Sequence, residues 1–170
     1  MEMRRILTIL LCATALVATA ADRRAPGFSL VDNKGVEHDL ADYRGKPVLL
    51  ALIQTTCPHC AALADNLQQI QEKYGDKLAI LAVVTPPDDP GKVNAFIAGH
   101  KITFSILFDS GQMSYSYVLS PTLAFPQLFM IDAGGIIRAE HAYGPLTQEI
   151  FEGNGLAPAV ARMLNGPPKK

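Results

Sequence analysis

The strongest constraint on this chain is Cys57-Pro58-His59-Cys60, set between the apolar run of residues 47–53 and a helical pattern that begins at Ala61. An apolar run of that length reads as a strand, so the motif falls at a strand-to-helix junction. The first cysteine then stands at a helix N-terminus, where unpaired N–H groups and the helix dipole favour a thiolate. Two thiols in this arrangement read as a redox site.

The remaining cysteine, Cys12, belongs to a different kind of segment. Met1-Glu2-Met3-Arg4-Arg5 is a charged start, residues 6–17 are apolar or small, and Ala18-Thr19-Ala20 fits an A-x-A cleavage pattern. The apolar run is shorter than the roughly 20 residues a membrane span needs, so residues 1–20 read as a secretory signal peptide. Bulky Leu11 ahead of Cys12 argues against a lipoprotein signal, and Cys12 is expected to leave with the signal. Export to a periplasmic or other extracytoplasmic space follows, with an uncleaved N-terminal membrane anchor as the alternative. Cys57 and Cys60 are then the only pair left, so in an oxidising compartment they form an exchanging redox couple or a metal site, not a staple framework.

The rest is one domain over residues 21–165 with a flexible tail at 166–170. About 150 residues can bury a core without disulfide support. With 49% hydrophobic and 18% charged residues and a net charge of -1, the composition excludes disorder and a nucleic-acid binder. Nothing suggests a nucleotide site or an organic cofactor.

Taken in order, residues 22–26 read as a polar lead-in and residues 28–38 as a short hairpin about Asp32-Asn33-Lys34-Gly35, lying against the edge of the main sheet. The run at 47–53 lacks alternation, as expected of a parallel central strand covered on both faces. Leu63, Leu67, Ile70 and Tyr74 recur at helical spacing, with Asp65, Gln68, Gln69, Glu72 and Lys73 on the opposite side and Gly75 as the stop. A buried strand at 77–84, a helix at 93–98 capped by Asp88 or Asp89, a strand at 104–108 and a short helix at 111–118 follow. Residues 127–131 and 136–141 flank the hairpin turn Asp132-Ala133-Gly134-Gly135, and residues 147–164 are helical in two pieces broken at Gly153-Asn154-Gly155. The order βαβαβ, then a hairpin and a helix, is α/β: a central sheet with a parallel portion, helices on its faces, and a site at the carboxyl ends of the strands.

These residues resemble the exported thioredoxin-fold thiol-disulfide oxidoreductases of the redoxin type, the group of the TlpA and ResA proteins. The matching pieces are Pro26-Gly27-Phe28-Ser29-Leu30, Gly45-Lys46-Pro47-Val48, the C-x-x-C, an extra αβ insertion before Phe108-Asp109, and Phe125-Pro126 ahead of residues 129–135. The resemblance implies a thioredoxin fold, a central mixed sheet flanked by helices, here with an N-terminal β-hairpin and the αβ insertion. It also implies that Pro126 is a cis proline facing the dithiol and that Phe125 offers backbone contacts to substrate, with Thr56 beside the first cysteine. Thr56 stands where the family usually has Trp, Ala51 where thioredoxins bury an acid, and Leu63 where some exported reductants have Glu. The dipeptide Pro58-His59 is the one found in DsbA-type oxidases, where a His over the helix N-terminus adds positive potential to the thiolate. A more stable thiolate makes the disulfide easier to reduce; such sites span about -270 mV to about -120 mV, a gap of roughly 7 kcal/mol.

Two other classes compete. A peroxiredoxin-like peroxidase needs Thr and Pro where this chain has Gln54 and Leu50. A Cu(I) carrier suits two thiolates, with His100 or His141 as further ligands, although both histidines read as ordinary surface or loop residues and zinc lacks ligands. Met113 and Met130 read as core. Tyr115 and Tyr117 read as packing residues of a short helix, or as lining beside the dithiol. The expectation is therefore protein thiol-disulfide exchange by a monomer served by a membrane redox partner, without cofactor or metal. Cys57 is the nucleophile, Cys60 the resolving thiol, His59 and Pro58 tune the couple, and Thr56, Phe125 and Pro126 present the substrate. Its direction, oxidation and isomerisation or reduction as in cytochrome c maturation, stays open.

Overall fold

Every residue of the central strand is buried on both faces, and the molecule is layered about it. The computed structural model describes residues 22–120 and 123–165. The expected signal segment with Cys12 and the expected tail lie outside them. The chain runs β1 (Arg23–Arg24), β2 (Ser29–Val31), β3 (Glu37–Asp39), β4 (Val48–Ile53), α1 (Pro58–Tyr74), β5 (Ala79–Val84), α2 (Pro90–His100), β6 (Ser105–Phe108), α3 (Gln112–Tyr117), β7 (Gln127–Ile131), β8 (Ile136–Ala142), α4 (Gln148–Phe151) and α5 (Leu156–Asn165). Six strands form one sheet in the order β1-β8-β7-β4-β5-β6. β4, β5 and β6 are parallel, joined by α1 and α2 as crossovers, and β7, β8 and β1 complete the sheet antiparallel.

The missing alternation in β4 has its expected cause. Leu49, Ala51 and Ile53 meet Leu63 and Leu67 of α1, Phe96 of α2, Phe151 of α4 and Val160 of α5. Val48, Leu50 and Leu52 meet Phe28, Leu40 and Tyr117 on the other face. The β2–β3 hairpin lies beside β6 as expected, with the Asn33 N–H donating to the Ile106 carbonyl at 3.2 Å.

Four readings change. The helix after the motif starts at Pro58, not Ala61, because proline suits the first helical position and Cys57 caps it. Residues 23–24, read as lead-in, are an edge strand on β8, held by Arg23 to Glu140 at 2.6 Å and to the Tyr117 carbonyl at 2.7 Å. Gln68, placed on the polar face, is buried: its Oε1 accepts from the Thr103 N–H at 2.9 Å and its Nε2 donates to Glu72. Asp89 alone caps α2, accepting from the Lys92 N–H at 2.9 Å; Asp88 points elsewhere. Met113, Met130 and Tyr117 are core, while Tyr115 is exposed. Among the described residues no helix is long and apolar enough to cross a membrane.

Candidate active site

β4 ends at Ile53 and delivers Gln54, Thr55 and Thr56 to the first turn of α1. Cys57 has extended backbone and caps the helix: its Sγ accepts from the Cys60 N–H at 3.4 Å, and its carbonyl accepts from the N–H groups of Cys60 and Ala61, each at 3.1 Å. A thiolate there meets helix N–H donors and the positive end of the dipole. Cys57 is half-buried and Cys60 has no exposed surface. Both thiols are free. Cys60 Sγ accepts a hydrogen bond from the Gln54 N–H at 3.4 Å, which favours the thiolate, but burial, then its contact with Cys57, outweighs it and pushes the pKa well up. One sulfur is therefore placed to react with outside groups, and the other is held protonated beneath it.

Thr56 and Pro58 are exposed and His59 is half-exposed. Phe125 and Pro126 stand immediately before β7, the strand next to β4. β7 pairs antiparallel to β4 with Gln127 opposite Leu52, so Pro126 falls at the same end of the sheet as the dithiol. The Phe125–Pro126 bond is cis. Pro126 is buried, and Phe125 packs against both core layers.

Other residues at this end of the sheet had no site role in the sequence reading. Asp88, read there only as a possible helix cap, lies in the loop after β5 and accepts from the Thr55 N–H at 2.9 Å and from the Thr55 hydroxyl, pinning the approach to Cys57. Its charge also disfavours a Cys60 thiolate. This carboxylate comes from neither position at which an acid was sought, Ala51 or Leu63. His59 Nδ1 donates to Glu152 Oε1, and its ring stacks on Tyr143 at 4.1 Å between centroids and 19° between planes. Tyr143 donates its hydroxyl to the same Glu152 oxygen at 3.1 Å and its N–H to the Pro126 carbonyl at 3.1 Å. Gln148 Nε2 holds the other Glu152 oxygen at 2.6 Å. The hydrogen bonds from Gln148, His59 and Tyr143 keep the Glu152 carboxyl below the usual range, so it is ionised at neutral pH.

The two histidines offered as further ligands go elsewhere. His100 bonds Asp65 at 2.8 Å, and His141, its pKa lowered by burial, lines a cavity of about 620 Å³ with Met130, Arg138 and Met163. Among the described residues no three His, Cys, Asp or Glu side chains are gathered to hold a metal ion.

Comparison with known proteins gives a consistent result. The family model described as AhpC/TSA family matches residues 21–140. The thioredoxin-like protein YneN of Bacillus subtilis is 31% identical over 132 residues, covering 76% of this chain and 75% of YneN. The thiol-disulfide oxidoreductase ResA of Geobacillus kaustophilus is 31% identical over 140 residues, 82% of this chain and 78% of ResA. Among solved structures, a thiol:disulfide interchange protein of the thioredoxin family from Chlorobium tepidum superposes with a TM-score of 0.70 at 20% identity, covering 86% of this chain and 99% of that one. The last likeness speaks to the fold, which is the thioredoxin fold.

Proposed function

Since this chain belongs to the AhpC/TSA family and carries its dithiol on a thioredoxin fold, we propose that it is a thiol-disulfide oxidoreductase exchanging disulfides with protein substrates through Cys57 and Cys60. The observation that carries this is the unequal pair: an accessible Cys57 capping α1 and a fully buried Cys60 one turn on. The names of relatives such as ResA support it.

In the reducing direction the Cys57 thiolate attacks one sulfur of a substrate disulfide. A mixed disulfide forms and the substrate's other sulfur leaves as a thiolate, which takes up a proton. Cys60 then loses its proton and attacks Cys57 Sγ; the intramolecular disulfide forms and the second substrate thiol departs. Two electrons pass from the dithiol to the substrate. The oxidising direction is the same sequence reversed, and the relative potentials of the couples select between them. Burial keeps Cys60 a thiol until the mixed disulfide has formed, so it does not compete as first nucleophile. Phe125, Pro126 and Thr56 form the edge along which an extended substrate segment lies, and His59 with Pro58 tunes the couple.

Export after loss of residues 1–20, a 21–165 domain acting as a monomer, and recharging by a membrane redox partner complete the proposal. The peroxidase alternative lacks support at Leu50 and Gln54, the first a buried core residue.

Cys57→Ser is expected to abolish disulfide exchange, whereas Cys60→Ser is expected to accumulate mixed disulfides on a non-reducing gel of thiol-trapped protein. A Cys60→Ser protein that traps no substrate would contradict the exchange mechanism.

A further inference from the structure

His59 does not project freely over the thiol. Its Nδ1 is occupied by the Glu152 carboxylate, and its ring is stacked on Tyr143, which is itself bonded to Pro126. The carboxylate is in turn fully engaged: Oε1 takes His59 and Tyr143, and Oε2 takes Gln148. An unpaired imidazolium beside the helix N-terminus would add a full positive charge to the field at Cys57, but one paired to a carboxylate adds only a dipole.

We propose that Glu152 is a positioning residue for the dithiol, which acts through His59: it fixes the imidazole ring and cancels its charge, holding the Cys57–Cys60 couple less oxidising than its Cys-Pro-His-Cys motif alone would make it. The proposal rests on the thiol-disulfide reading above. Glu152 lies 92 residues beyond Cys60 in the chain and touches neither sulfur through any hydrogen bond among the described residues. Among the described residues, the charged and titratable groups bonded to or acting on His59 and the dithiol include Glu152 after α4, Tyr143 after β8 and Asp88 after β5, and Glu149 of α4 stands near Gly153. Of these, Asp88 is committed to Thr55 and acts on Cys60. Tyr143 stays neutral, because burial and then Glu152 raise its pKa. Glu152 is thus the anion paired with His59.

The test is the redox equilibrium of the full-length protein with glutathione at pH 6, read by mass-shift labelling of free thiols. Glu152→Gln keeps a carbonyl acceptor for Nδ1 but removes the charge. The ring then faces Cys57 without a carboxylate counter-charge. The equilibrium constant for reduction should rise about tenfold, equivalent to ~30 mV. In a His59→Ala background Glu152→Gln should have no such effect. An unchanged potential in Glu152→Gln at pH 6, or an equal shift in the absence of His59, would overturn the proposal. Thiolate absorbance of Cys57 against pH gives the same comparison without a redox buffer and must move in step, towards lower pH in Glu152→Gln. Failure of the unaltered protein to form a Cys57–Cys60 disulfide would instead overturn the underlying reading.

Discussion

Cys57 and Cys60 are the same residue three positions apart, yet the fold gives them different chemistry. Cys57 meets the open end of α1, and Cys60 is sealed under it against Leu63, Leu49 and their neighbours. The buried thiol has a stability consequence. Its pKa is raised in the folded state, so the folded protein holds this proton more tightly than the unfolded chain, where cysteine titrates near 8.5. The contribution is fully present below about pH 8.5 and is lost as pH rises above it. The disulfide form has no thiol there to titrate. Urea unfolding from pH 7.5 to pH 9.5 should therefore show the reduced protein losing stability relative to the oxidised one, and parallel profiles would contradict the burial of Cys60. Tyr117, also raised by burial, loses its proton in the unfolded chain only near pH 10 and affects both redox forms alike. The candidate redox residues were legible in the sequence because spacing, strand and helix period all converge on four positions. Glu152, Tyr143 and Asp88 were not, because no local pattern links residue 59 to residues 143 and 152, or residue 55 to residue 88. An aromatic directly after the last strand, beside the proline-led β7, was the one available signal for Tyr143.

At the scale of elements, the approach to the dithiol is held from two sides. Thr55 is fastened to Asp88 by its N–H and its hydroxyl, tying the β4–α1 turn to the loop that starts α2. Asp88→Asn and Thr55→Val should each destabilise the protein, and their effects should fall short of adding, with a coupling of about 1 kcal/mol by denaturant titration. Strict additivity would mean the bond contributes nothing. On the other side, α4 and α5 meet at Gly153-Asn154-Gly155, and a Cβ on Gly155 would stand 2.8 Å from the Glu149 carbonyl oxygen and 3.2 Å from the Ile150 nitrogen. Gly155→Ala is expected to cost about 1–3 kcal/mol, measured by thermal unfolding, because both contacts are with backbone that cannot swing away. The break between the two helices was readable from its glycines, and so were β4, α1 and the β7–β8 hairpin. Element edges were less so: the helix start moved to Pro58 because capping by Cys57 outranks the apolar period. β1 was missed because two arginines carry no strand pattern, and they pair with Ile137 and Ile136 far along the chain, with the Arg23 side chain on Glu140 and the Tyr117 carbonyl.

Over the whole molecule, one sheet with both faces covered places the dithiol where β4 ends, and β7 brings Pro126 to the same end. Truncating this shared layer should weaken everything built on it: Leu52→Ala, at a site with no exposed surface, is expected to cost about 2–5 kcal/mol by urea titration. The α/β order, the parallel portion and the N-terminal hairpin were all readable because strand and helix periods alternate cleanly; the closing contacts of α4 and Tyr143 over the α1 turn were not, being tertiary in origin. Whether Cys57 and Cys60 exchange is read from equilibration of the full-length protein with graded glutathione or dithiothreitol buffers. A single two-electron transition between dithiol and intramolecular disulfide is expected, falling between about -270 and about -120 mV. A disulfide that resists reduction to below about -300 mV, as structural ones do, or none at any buffer ratio, would contradict it.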